Sequence, residues 1–123
     1  MRNRENEDTW HHGGLHGTTI TAALNIAQEG FRVNEGGSVF MALFGDSDIA
    51  HQAGKDKARV RGDDEYAVIE AAIPPSELEF GINGDHLKIP AELADAIEVT
   101  RILAFKLKPE NTSDYSGRVI WIK

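Results

Sequence analysis

The run Ser38-Val-Phe-Met-Ala-Leu-Phe44 is apolar without interruption and has turn chemistry on both sides, Asn34-Glu-Gly-Gly37 before it and Gly45-Asp-Ser-Asp48 after it. A stretch of that length and composition reads as a strand, and its lack of alternation marks it as buried. The main chain of a buried strand has to be hydrogen-bonded, so the rest of the chain must supply a sheet. Tyr66-Ala-Val-Ile-Glu-Ala-Ala-Ile73 is the clearest partner; it ends at Pro74-Pro75, which cannot donate to a ladder. A short strand is expected over residues 86–89, after the turn signal Asn83-Gly84, with others over 97–99, 101–108 and 119–122. In 101–108 the apolar Leu103, Phe105 and Leu107 alternate with Lys106 and Lys108, which predicts a sheet edge or outer surface.

Helical spacing belongs to the first half of the chain. Ile20, Leu24, Ala27 and Phe31 share one face of a helix over residues 19–29, with Thr18 or Thr19 to cap it and Gly30 at the left-handed C-terminal position. A short helix with Ile49, Ala50 and Ala53 is expected to close at Gly54. Residues 55–65, first basic and then acidic, show no burying period and read as an exposed loop. A helical turn over 76–80 and a short helix over 90–95, with Leu93 and Ala94 turned inward, complete the pattern. The order predicts an α+β fold with a largely antiparallel sheet. Residues 1–9, nearly all polar, read as a frayed tail, and residues 10–123 as a single domain.

Composition narrows the function. A formal net charge of −7 argues against a nonspecific nucleic-acid binder, which needs clustered Lys and Arg. The absence of cysteine removes disulfides, a thiolate nucleophile and a thiolate metal site. No run approaches the roughly 18 consecutive apolar residues of a membrane helix, and the N-terminus lacks a signal peptide's apolar core. A cytoplasmic protein without a membrane partner is the expectation, although a secreted effector without a cleaved signal would look the same. His11, His12 and His16 have no acidic residue at ligand spacing, so no metal is expected. There is no Gly-x-Ser-x-Gly elbow and no phosphate-binding loop with its lysine.

What remains is an arrangement of short motifs. Leu15-His16-Gly17-Thr18 opens onto the first helix, which ends Glu29-Gly30-Phe31. Gly36-Gly-Ser-Val-Phe-Met-Ala42 is followed by Asp48-Ile-Ala-His-Gln-Ala53, then by the strand Tyr66 to Ile73, and finally by Gly84-Asp-His-Leu-Lys-Ile89. In order and spacing, over roughly residues 15–108, this resembles the ADP-ribosyltransferase superfamily of the histidine–tyrosine–glutamate type. The resemblance implies that family's split, mostly antiparallel sheet, NAD as substrate and transfer of ADP-ribose to a macromolecular acceptor, protein or nucleic acid. It implies that His16 hydrogen-bonds a ribose hydroxyl, that Gly17 holds the nicotinamide amide through its main chain, and that Thr18 supports that turn. On this reading a Cβ at position 17 would crowd the ligand, and the basic stretch from Lys55 to Arg61, otherwise a solvated loop, could steer the pyrophosphate of NAD or a partner.

Phe40 stands where the family has its tyrosine and keeps the stacking face, Phe44 would add a second wall, and Ser38 belongs to the same cofactor-binding block. Asp85, with His86 beside it, stands where the family's catalytic glutamate is expected, to stabilise an oxocarbenium-like centre. Glu98 is a reserve candidate, and both it and Glu70 read more simply as exposed strand positions. Taken alone, His16 is a histidine before a glycine turn, Phe40 and Phe44 are core residues, and Asp85 is a turn residue. Three alternatives therefore stand beside the transferase: a degenerate binding module of the same fold, an RNA 2′-phosphotransferase-like enzyme, and an RNase-type domain using His16 and His86 as acid and base. The phosphotransferase usually carries arginines where this chain has Gly14-Leu15 and Ser38-Val39.

Overall fold

The computed structural model describes residues 12–32, 38–43, 47–73, 79–80, 86–107 and 117–123. The expected tail, the start of the fold near Trp10, and the turns at 34–37 and 83–84 lie outside the described residues, as do Phe44 and Asp85. In chain order the elements are β1 (His12–Thr18), α1 (Ile20–Glu29), β2 (Ser38–Leu43), α2 (Ser47–Arg61), β3 (Glu65–Ile73), β4 (Glu79–Phe80), β5 (His86–Pro90), a 3-10 helix (Ala91–Ala96), β6 (Glu98–Lys106) and β7 (Arg118–Ile122). The strands form an antiparallel sheet in the order β4-β5-β2-β1-β3-β6-β7, so the fold is α+β.

Both faces of the sheet are covered, which is why β2 reads as a continuous apolar run. One face places Val39, Met41, Ile69, Ile89 and Ile102 against Ala23 of α1. The other places Leu15, Ala42, Tyr66, Val68 and Phe105 against Ala50 and Ala58 of α2. Each large apolar side chain so buried contributes about 1.5–3 kcal/mol. The caps of α1 fall where local chemistry puts them: Thr19 Oγ1 accepts from the Ala22 N–H at 3.2 Å, and Gly30, at φ 84°, donates to Ile26 O at 2.7 Å.

Helix α2 corrects the expected loop. It runs through Gly54 to Arg61, with Ala50, His51, Gly54 and Ala58 on its buried face and the charged residues largely outward. Gly54 is no terminator. A Cβ there would lie 2.6 Å from Tyr66 Cδ2, so the glycine lets the helix approach the sheet. The true end is Gly62, at φ 78°, where Gly62 N donates to Arg59 O and Asp63 N to Ala58 O, the paired bonds of a Schellman cap.

Residues 97–99 and 101–108 were expected as separate strands, the second at a sheet edge or outer surface. Instead Glu98–Lys106 is one strand, β6, lying between β3 and β7. Glu70 pairs with Arg101 and Ala71 with Val99, so Thr100 is the extra residue of a bulge, and its hydroxyl donates to Glu70 O at 3.0 Å. The helical turn expected over 76–80 is, at Glu79–Phe80, a short strand against β5. Among the described residues no helix is long and apolar enough to cross a membrane.

Candidate ligand cleft between the first two strands

β1 and β2 are neighbours, yet among the described residues their ladder has only the rungs Gly14↔Leu43 and Leu15↔Ala42. On its other side β1 pairs with β3 from His12↔Ile73 to Thr18↔Ala67. Continuing the β1–β2 register would set Gly17 opposite Phe40, and that rung is not formed. In an antiparallel pair the main-chain groups of alternate residues point to the same neighbour, so those of Gly17 and Phe40 face the gap. Two side chains take up the carbonyls. His16 Nδ1 lies 3.0 Å from Phe40 O, and Lys57 Nζ donates to Gly17 O at 3.1 Å.

The separation of the strands opens a cleft of about 830 Å³ between α1 and α2. His16, Gly17 and Phe40 line it, with Asn25 and Glu29 on the α1 side and Lys57 on the α2 side. Phe40 is 52% exposed, whereas its strand neighbours Val39, Met41 and Ala42 are buried. It belongs to neither core cluster and lines the cleft.

The electronic state of His16 follows from its partner. A carbonyl oxygen only accepts, so Nδ1 carries the proton and Nε2 keeps its lone pair. The ring is packed edge-on to Phe31, with centroids 5.3 Å apart. Burial holds its pKa down at about 4; the bond to Phe40 O works against this and the Lys57 charge adds to it. His16 is therefore neutral at physiological pH and can accept one hydrogen bond, which makes it a poor proton donor for the RNase-type reading.

A pH dependence of stability follows. The unfolded chain protonates His16 near 6.5 and the folded chain only near 4. Stability is thus complete above 6.5 and falls as the pH drops through the window from 6.5 to 4, because only the unfolded state gains the proton. His51 acts in the same direction, its pKa lowered chiefly by burial. Urea unfolding at pH 7.5 and 4.5 should differ by about 2 kcal/mol, and His16→Gln should remove most of that difference. An unchanged pH slope in the variant would assign the effect elsewhere.

The other expected site residues are distributed as follows. Gly17 lines the cleft, and the fold itself requires glycine there. A Cβ would run into the Ala50 carbonyl and lie 2.7 Å from Gly54 N, so helix α2 excludes it. Thr18 is buried and does not line the cleft. Ser38 begins β2, and His86 begins β5 with its backbone paired to Ala42, itself a cleft residue. Asp85, directly before β5, and Phe44, directly after β2, are outside the described residues.

Glu70 and Glu98 do not line the cleft: Glu70 takes a bidentate bond from Arg101 at 2.9 and 2.8 Å, and Glu98 pairs with Lys123. Lys57 belongs to the basic stretch from Lys55 to Arg61, expected as a solvated loop that could steer the pyrophosphate of NAD or a partner; the helical period that turns it toward β1 was hidden inside that charged run. Sequence reasoning missed buried His51, which shares a 2.6 Å hydrogen bond with the Tyr66 hydroxyl and meets Phe105 edge-on. That cluster ties α2 to the sheet. Among the described residues no group of three His, Cys, Asp or Glu is placed to hold a metal.

Comparison with protein families, with curated proteins and with solved structures finds no match to this chain.

Proposed function

We propose that the cleft binds NAD and that the chain is an ADP-ribosyltransferase-like enzyme that passes ADP-ribose to a macromolecular acceptor. The observation that carries this is the missing rung. It brings a neutral histidine, the main chain of a glycine and an exposed aromatic ring to one opening, within the volume range of small-molecule sites. Those are the parts the sequence resemblance assigns to NAD. The antiparallel α+β sheet, with a helix after its first strand, is compatible with that family's architecture.

On this reading a ribose hydroxyl donates to His16 Nε2, and Phe40 stacks on the nicotinamide. The Gly17 N–H donates to the carboxamide oxygen, while its carbonyl accepts from the carboxamide nitrogen. Asp85 would stabilise the positive charge that develops on the ribose as the bond from C1′ to the nicotinamide nitrogen breaks and its electron pair passes to the ring. The acceptor's nucleophilic atom then bonds to C1′ and releases its proton. A second reading, a module that holds NAD without turning it over, is favoured by Phe40, which lacks the hydroxyl of the family's tyrosine.

Labelled NAD incubated with the protein and a cell lysate tests both. Label should pass to macromolecules or NAD should be hydrolysed, and Asp85→Ala should lower the rate about 100-fold while leaving NAD affinity within a few-fold. Binding of equal strength in wild type and Asp85→Ala, without turnover in either, would select the module. Absence of binding, transfer and hydrolysis would sink the NAD reading.

A further inference from the structure

Lys57 reaches from α2 to the cleft, where its Nζ donates to an uncharged carbonyl, Gly17 O, at 3.1 Å. The other cation on the cleft wall, Arg32, is paired with Glu29 at 2.7 Å. Among the described residues Lys57 has no carboxylate within ion-pair distance, although the chain carries a net charge of −7. Its sequence neighbour Asp56 is engaged instead by Gln52 at 2.9 Å and Arg59 at 3.3 Å. Partial burial lowers the lysine's pKa. An ammonium offers three donors, of which the carbonyl uses one.

We propose that Lys57 exchanges partners when the cleft fills: in the empty cleft it holds the Gly17 carbonyl, and in the occupied cleft it moves to a phosphate oxygen of the ligand. The exchange frees the Gly17 carbonyl for an amide N–H of the same ligand. The amide half rests on the NAD reading, whereas the phosphate half stands without it. Charge complementarity favours the move, because a phosphate replaces a neutral acceptor. The long, flexible lysine stem allows it without displacing α2.

The two halves predict effects of opposite sign for Lys57→Met. Calorimetric titration of the full chain with ADP, NAD and nicotinamide, at low and moderate salt, separates them. ADP and NAD should each bind about tenfold or more weaker than to wild type, with a flatter salt dependence. Nicotinamide should bind about threefold tighter, because its competitor for the Gly17 carbonyl is gone. Lys57→Arg should keep most of the ADP affinity, and thermal melts of both variants check that they remain folded. Equal NAD affinity in wild type and Lys57→Met would overturn the exchange while leaving the NAD reading intact. Weakening of all three ligands would overturn it too, since Lys57 would then only hold the cleft in shape. Lys57-dependent binding of ADP without binding of NAD or nicotinamide would support the phosphate contact and overturn the NAD reading. Failure of wild type to bind any of the three overturns both.

Discussion

Gly17→Ala should destabilise the fold by more than about 3 kcal/mol, and the loss should appear as detachment of helix α2. The added Cβ meets only main chain: the Ala50 carbonyl, whose carbon would lie 2.8 Å away, and Gly54 N at 2.7 Å. Neither can rotate aside, so the whole helix must shift. That shift would open the contacts of Ala50 and Ala58 with Tyr66, Val68 and Phe105 and pull His51 from the Tyr66 hydroxyl. Urea unfolding followed by circular dichroism measures the loss, and hydrogen exchange locates it. A change below about 1 kcal/mol would show that α2 does not rest on β1 at this residue. Ligand binding should fail in the variant as a consequence of the displaced helix, because Gly17 lends the cleft only its main chain.

His16→Ala should lower NAD affinity about 100-fold, by removing both the Nε2 acceptor and the Nδ1 donor that holds the Phe40 carbonyl. Loss of that solvent-accessible bond also costs about 0.5–1.5 kcal/mol of stability. His16→Gln and His16→Asn divide the two roles. A glutamine oxygen reaches the place of Nε2, whereas an asparagine nitrogen overlies Nδ1 and can donate to Phe40 O. Glutamine should therefore retain more affinity and asparagine more stability, read by calorimetry and by unfolding in parallel. Affinity within threefold of wild type in His16→Ala would take His16 out of the ligand site.

Elements whose limits are set by local chemistry were legible from the chain alone. Helix α1 begins at a threonine that can cap it and ends at a glycine that can turn left-handed, and both signals act within a few residues. β2 was legible as an apolar run and β3 from its strand length and composition and the stop at Pro74-Pro75, since most of its residues are buried on the two faces of the sheet. Helix α2 was misread because two glycines compete in that stretch and only one ends the helix. Gly62 caps it, while Gly54 is there for the sake of Tyr66, a residue on another element. The position of β6 inside the sheet was hidden in the same way, since the lysines that mimic an edge say nothing about which strand lies beside them.

For the candidate site, the sequence by itself determined the parts: a histidine and a glycine at the end of β1, an aromatic residue on β2, and an aspartate just before the strand that pairs with β2. Only the tertiary structure decided that the β1–β2 ladder ends at Leu15↔Ala42, two positions short of Gly17 and Phe40, that His16 and Lys57 take the two carbonyls, and that His16 is neutral. The physical reason is that a ladder ends where packing parts the strands. His16 and Lys57 reach those carbonyls across 24 and 40 residues of chain, beyond any local signal.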